Sequence, residues 1–132
     1  MTYYLEREHL FEVLRSLSET AETHSRIAFD YMDRKAFDSG RATAIYRILQ
    51  ELLTNVARHA AATEVQVQLA QKDKDVILIV RDNGRGMPAE RLSAKDSLGI
   101  LGMQERALAF GGELVFSSAP GTGTSVKVRI PL

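Results

Sequence analysis

From Tyr46 to Thr63 the chain runs Tyr-Arg-Ile-Leu-Gln-Glu-Leu-Leu-Thr-Asn-Val-Ala-Arg-His-Ala-Ala-Ala-Thr, and no other stretch limits the possible folds as tightly. At ~100° per residue, Ile45, Ile48, Leu49, Leu52, Val56 and Ala60 share one side of a helix, while Arg47, Gln50 and Thr54 lie opposite and face water. A helix of this kind has to be laid against the rest of a domain. Glu51, Asn55 and His59 fit neither group. Their i, i+4, i+8 spacing makes one polar stripe on the shoulder of the apolar face, where a side chain is half inside the domain and half in a cleft. A carboxylate, an amide and an imidazole placed there mark a candidate site.

The rest of the chain must supply what this helix packs on. Its 132 residues are one domain's worth, so residues 1–132 are read as a single unit, with an N-terminal helix over 1–24 and a core over 25–132. Lys and Arg total 17 and so do Asp and Glu, which leaves no basic excess for non-specific nucleic-acid binding. A small polyphosphate would need only a few local cations. Without cysteine there is no disulfide framework, no thiolate zinc site and no thiol nucleophile. The beginning, Met-Thr-Tyr-Tyr-Leu-Glu-Arg-Glu, lacks a signal-peptide apolar region, and no apolar run approaches the ~20 residues that span a bilayer, so a cytoplasmic location without membrane contact is the expectation.

Tyr4 to Glu22 carries Leu10, Val13, Leu14, Leu17 and Ala21 at helical spacing and reads as an amphipathic helix. Arg26 to Tyr31 alternates and reads as a strand, and Asp33 to Arg41 as the loop into the central helix. Beyond that helix, Glu64 to Ala70 alternates as a half-exposed strand. Lys72 to Asp75 is a charged turn, and Val76 to Val80 is an unbroken apolar run suited to a central strand covered on both faces or nearly so. Arg81-Asp-Asn-Gly-Arg-Gly-Met-Pro88 then breaks the pattern and leaves a loop whose backbone can come close to a ligand. Ala89 to Leu98 has the length of a functional lid. Ile100, Met103, Ala107 and Phe110 form a helical stripe that Gly111-Gly112 terminates. Glu113 to Ser118 and Ser125 to Ile130 form a hairpin whose turn is Ala119 to Thr124. Strands in adjacent runs with helices between them predict an α+β fold, a two-layer α/β sandwich with a mixed sheet and helices on one face.

Three clusters call for one explanation: Glu51/Asn55/His59, Asp82 to Gly86 at a strand end, and Gly99-Ile-Leu-Gly102 at a helix start, where free N–H groups and the dipole favour a phosphate. A nucleotide supplies it. Adenine offers an exocyclic amine that the Asp82 carboxylate can accept from, and Gly84 and Gly86 admit its flat face. Mg²⁺ prefers oxygen ligands and keeps several waters, so Asn55 can offer its amide oxygen directly while Glu51 holds or polarises a water. Arg58 and His59 would face the phosphates. Neither the P-loop pattern nor the dinucleotide-binding glycine fingerprint occurs.

The helix with Glu51, Asn55 and His59, then Asp82-Asn-Gly-Arg-Gly86, Gly99-Ile-Leu-Gly-Met-Gln-Glu-Arg106 and Gly121-Thr-Gly-Thr124, come in an order and spacing that resembles the catalytic ATP-binding domain of two-component sensor histidine kinases. These belong to the gyrase, Hsp90, histidine kinase and MutL superfamily with its Bergerat-type fold. The Gly-Ile-x-Gly-Met-x-Glu-Arg run and short lid are similar to the nitrate-sensor-like subgroup. The match runs from about Ile27 to Leu132.

The resemblance implies Asn55 as Mg²⁺ ligand, Glu51 as the water-activating acid and Asp82 as the adenine reader. Gly84 and Gly86 match the first glycine box, Gly99 and Gly102 the second, and Gly121 with Thr124 the last, where a threonine helps hold the base through water. Met87, which alone reads as lid packing, joins Ile100, Arg58 and His59 among the nucleotide-binding positions. Arg58 stands where lysine is common, and Ser97 at a lid-end position that is often glycine. ATP and Mg²⁺ are the implied cofactors. The implied partners are a dimerisation domain bearing the phosphoacceptor histidine and, downstream, a response regulator.

Neither His9, followed by Leu10, nor His24, followed by Ser25, matches the subgroup's His-Asp phosphoacceptor dipeptide. The expectation is a catalytic domain that cannot autophosphorylate alone. The alternatives within the superfamily are an anti-sigma-factor-type serine kinase and a nucleotide-binding module without catalysis.

Overall fold

Two hairpins make most of the sheet. The computed structural model describes residues 2–6, 39–56, 62–86, 98–119 and 121–132. In chain order the elements are β1 (Thr2–Glu6), α1 (Ser39–Asn55), β2 (Glu64–Lys72), β3 (Asp75–Asp82), α2 (Leu98–Leu108), β4 (Glu113–Ala119) and β5 (Gly123–Pro131). Asp73 turns the first hairpin at φ 55°, a left-handed conformation that Asp tolerates better than most residues.

The five strands lie in the order β1-β2-β3-β5-β4, and every pairing among them is antiparallel. The described sheet is therefore antiparallel where a mixed one was expected. The chain sense explains the difference: β3 and β4 run in the same direction on either side of α2, but β5 lies between them and pairs with both. The other parts of the expectation, an α+β fold in two layers with helices on one face, match what is seen.

Antiparallel partners share a face, so the register gives the core row by row. Val67, Val80, Val126 and Phe116 form one row, and Leu69, Leu78, Val128 and Leu114 the next. With Val76 and Ile130 they meet Ile45, Ile48, Leu52 and Leu53 of α1 and Ile100, Met103 and Ala107 of α2 in a single apolar cluster. Leu78, Val128, Ile130 and Ile48 are wholly buried. Each such side chain contributes about 1.5–3 kcal/mol by leaving water.

The opposite face of the sheet carries Gln66, Gln68, Arg81, Lys127 and Arg129. Ile77 and Ile79 of β3 are half-buried there rather than covered by a second layer. Of their register neighbours, Gln68, Arg129 and Lys127 can lay aliphatic stems alongside them and Ala70 adds a methyl group. β3 is thus central, as expected, but only one of its faces is covered by described elements.

Three boundaries differ from the sequence expectation. Tyr4 to Glu6 was expected in a helix but belongs to β1, paired from Thr2↔Gln68 to Glu6↔Glu64. The Thr-Tyr-Tyr composition suits a strand, and β2 offers it a hydrogen-bonding edge. Helix α1 begins at Ser39, inside the expected loop. Arg41 holds this early turn: its Nε donates to the Pro131 carbonyl at 2.7 Å and its guanidinium lies 5.2 Å from the centre of the Phe110 ring. At the other end α1 stops at Asn55, Val56 lies in a wider turn, and Ala62 and Thr63 have left the helix, so the expected helix to Thr63 is too long. The helical stripe from Leu10 to Ala21, the strand over Arg26 to Tyr31 and most of the lid lie outside the described residues.

Helix α2 ends as expected. Gly111 N–H donates to the Leu108 carbonyl and Gly112 N–H to that of Ala107, with Gly111 at φ 76°, which is the Schellman arrangement. A Cβ at Gly112 would run into the Arg129 carbonyl, so the second glycine is needed for close approach to β5.

Candidate functional site

One register row departs from the apolar rule. Val65, Asp82, Thr124 and Ser118 are paired across β2, β3, β5 and β4, one row beyond Val67, Val80, Val126 and Phe116 and on the same face. That face is the one the helices cover. The parity of β3 therefore places a carboxylate on the core side of the sheet, next in the series of buried residues Val76, Leu78 and Val80. Asp82, Thr124 and Ser118 are each half-buried rather than sealed, so water reaches this end of the covered face.

Several contacts fix the row. Asp82 Oδ1 accepts the Gly84 N–H at 2.8 Å, and a second backbone donor comes from Thr124. Thr124 Oγ1 and Ser118 Oγ share a hydrogen bond of 2.9 Å. Gly123, at φ 82°, packs so closely on Asp82 that a Cβ would strike the Asp82 carbonyl oxygen. Gly121 N–H donates to the Arg85 carbonyl at 2.6 Å, which ties the β4–β5 turn to the loop carrying the buried Gly84 and Gly86. Gly86 itself has φ 70°, a conformation that glycine adopts without strain.

Burial pushes the Asp82 carboxyl above its ordinary range, and the hydrogen bonds from Gly84 and Thr124 oppose this. A carboxylate has about four acceptor positions. Two backbone donors leave room for a further N–H from a ligand, so this group suits an amine-bearing base.

Asn55 gives a second sign of an opening. At ~100° per residue it projects from α1 within roughly 20° of both Ala44 and Ile48. Those two are buried, whereas Asn55 and Glu51, one turn before it, are half-exposed. Glu51 and Asn55 thus form a half-exposed polar edge beside the buried Leu52, Leu53 and Val56. The chain enters β2 beside the end of β3, where Glu64 accepts the Asn83 N–H and Val65 pairs with Asp82. Two oxygen-bearing side chains one turn apart suit a cation that keeps some of its waters. Among the described residues no group of three His, Asp or Glu side chains is assembled for a metal.

The expected site residues fall into three groups. Asp82, Gly84 and Thr124 are brought together by pairing and hydrogen bonds at the sheet end, where Gly121 is hydrogen-bonded to Arg85, the residue before Gly86. Glu51 and Asn55 lie on α1, and Gly99, Ile100 and Gly102 in the first two turns of α2. Both helices contribute to the one core cluster, Ile100 by burying its side chain, while a Cβ at Gly102 would meet open space. Arg58, His59 and Met87 lie outside the described residues.

Two residues of this region were not expected. Ser118 carries no signal of its own and emerges only from the β4–β5 register. Asn83 reads as a turn former before glycine, yet its side chain accepts from Thr63 and Glu64 N–H, each at 3.0 Å, and donates to Thr63 Oγ1 at 2.9 Å.

Residues 40–132 match the family model described as histidine kinase-, DNA gyrase B-, and HSP90-like ATPase, and the chain belongs to that family. Its curated relatives are sensor kinases. The signal transduction histidine-protein kinase/phosphatase UhpB of Salmonella typhimurium is 33% identical over 123 residues, which cover 90% of this chain and 24% of that protein. The sensor histidine kinase LiaS of Bacillus subtilis is 38% identical over 106 residues, covering 80% and 29%. The chain thus spans about a quarter to a third of these relatives' length. Among solved structures, the blue-light activated histidine kinase of Erythrobacter litoralis superposes with a TM-score of 0.63 at 28% identity over 73% of this chain and 32% of that one. Its isolated histidine kinase domain gives 0.64 at 22% identity over 96% and 60%, a likeness of fold.

Proposed function

We propose that this chain is the ATP·Mg²⁺-binding catalytic domain of a two-component sensor histidine kinase of the nitrate-sensor-like subgroup. In this reading it presents the γ-phosphoryl group to a histidine on a dimerisation domain, for relay to a response regulator. The observation that carries the reading is the Asp82 row: a half-buried carboxylate on the core side of the sheet, with acceptor capacity left and Gly123 close-packed on its backbone. Membership of an ATPase family and sensor-kinase relatives support it.

Asp82 would accept from the exocyclic amine of adenine, with Thr124 beside it and Gly84 and Gly86 giving the base access. Asn55 would hold Mg²⁺ through its amide oxygen and Glu51 would orient a water, while Arg58 and His59, with the N-terminal turn of α2 at Gly99 and Gly102, would meet the phosphates. Bound Mg²⁺ neutralises charge that develops on the transferring group. The chain's own task is to position and to exclude water, because phosphoryl transfer rests on these rather than on covalent chemistry in the domain. Residues 87–98 would close over the triphosphate as a lid. No helix among the described residues is long and apolar enough to cross a membrane. In this reading the domain works in the cytoplasm, where ATP and the response regulator are found.

The test is to mix the chain with ATP, Mg²⁺ and a separately purified helical dimerisation domain of this subgroup. Acid-labile phosphate on the histidine of that domain is the expected product. Phosphate on serine, or ATP binding with no transfer, would contradict the kinase assignment.

A further inference from the structure

We propose that Asn83 is a positioning residue that sets Asp82 for recognition of the base, an inference that rests on the adenine-reading role given to Asp82 above. Asn83 follows β3 directly and is exposed, so burial does not account for its conformation. Its amide oxygen receives two backbone N–H groups, from Thr63 and Glu64 at 3.0 Å each, and its amide nitrogen donates to Thr63 Oγ1 at 2.9 Å. Its own N–H reaches the Glu64 carbonyl at 3.3 Å, extending the β2–β3 ladder past its last paired residues. One side chain thereby joins the point where the chain enters β2 to the point where it leaves β3.

The neighbours of Asn83 show why this bears on the site. Asp82 precedes it and Gly84, whose N–H holds Asp82 Oδ1, follows it. With Asn83 fixed outward on Thr63 and Glu64, the backbone on both sides of it is fixed, and the inward direction of the Asp82 carboxylate is set with it. Aspartate at this position keeps the acceptor for both N–H groups, and the Thr63 hydroxyl can then donate in its turn. Alanine removes all three side-chain bonds.

The experiment compares the wild-type chain with Asn83→Ala and Asn83→Asp. It reads ATP and GTP affinity by calorimetry and hydrogen exchange at the Thr63 and Glu64 amides without nucleotide. Asn83→Ala is expected to speed exchange at both amides, weaken ATP about three- to tenfold and lower the preference for ATP over GTP. Asn83→Asp is expected to restore slow exchange and most of the preference for ATP. Unchanged ATP affinity in Asn83→Ala, or a loss of affinity with the ATP-over-GTP preference intact, overturns the proposal while leaving the proposed function standing. Failure of the wild-type chain to bind ATP overturns both.

Discussion

At Asp82 the fold withdraws water from a carboxylate and returns two backbone donors, and the balance disfavours the charged form. The sign of the consequence follows from linkage. Because the folded-state pKa lies above the unfolded one, Asp82 favours folding while it is protonated, and this contribution is lost as pH rises through the folded value. Asp82→Asn removes the desolvated charge. Thermal melts without nucleotide should therefore find the variant at least as stable as wild type at neutral pH, with the gap closing as pH falls through the carboxylate range. A variant less stable than wild type at neutral pH would speak against a net desolvation cost at this position. Asn55 makes a separate prediction: Asn55→Ala should weaken ATP about tenfold or more, roughly 1.4 kcal/mol, when Mg²⁺ is present and much less without it. Equal losses in calorimetric titrations under both conditions would contradict the metal role.

At the scale of elements, what could be read in advance followed from short-range rules. The alternation of Val65, Val67 and Leu69 located β2, Gly111-Gly112 marked the end of α2, and the Asp82-Asn-Gly-Arg-Gly86 break marked the end of β3. What could not be read depends on pairing. Nothing in Thr2 to Glu6 states that β2 has an edge to offer, and the helical spacing that starts at Leu10 invites the same helix to be extended back over it. Tyr46 and Leu53 are buried although the one-sided helix reading left them out, because α1 packs against α2 as well as the sheet. The chemistry of Asn83 and Ser118 is likewise invisible until the register is known. Gly111→Ala tests the helix end: at φ 76° an added Cβ should cost about 1–2 kcal/mol, seen as a lower urea midpoint with an unchanged slope. A midpoint equal to that of wild type would show that the left-handed cap is not required.

For the whole molecule, one apolar cluster among the described residues holds α1 and α2 to one face of an antiparallel sheet, and Asp82, Thr124 and Ser118 lie half-buried at one end of that face. On the opposite face the ion pairs among the described residues add little. Arg129, for example, lies 3.3 Å from Asp75 and 3.2 Å from Glu113, but water reaches these pairs and screens their attraction. Asp82 is only half-buried and is not part of that apolar cluster, so changing it leaves the core intact. Binding and folding should therefore separate. A calorimetric titration of the wild-type chain and Asp82→Asn with ATP and Mg²⁺ puts base recognition by Asp82 to the test. Saturable binding by the wild type and none by the variant is the expected result, with the variant's melt still cooperative. Equal ATP affinity in the two proteins would contradict it.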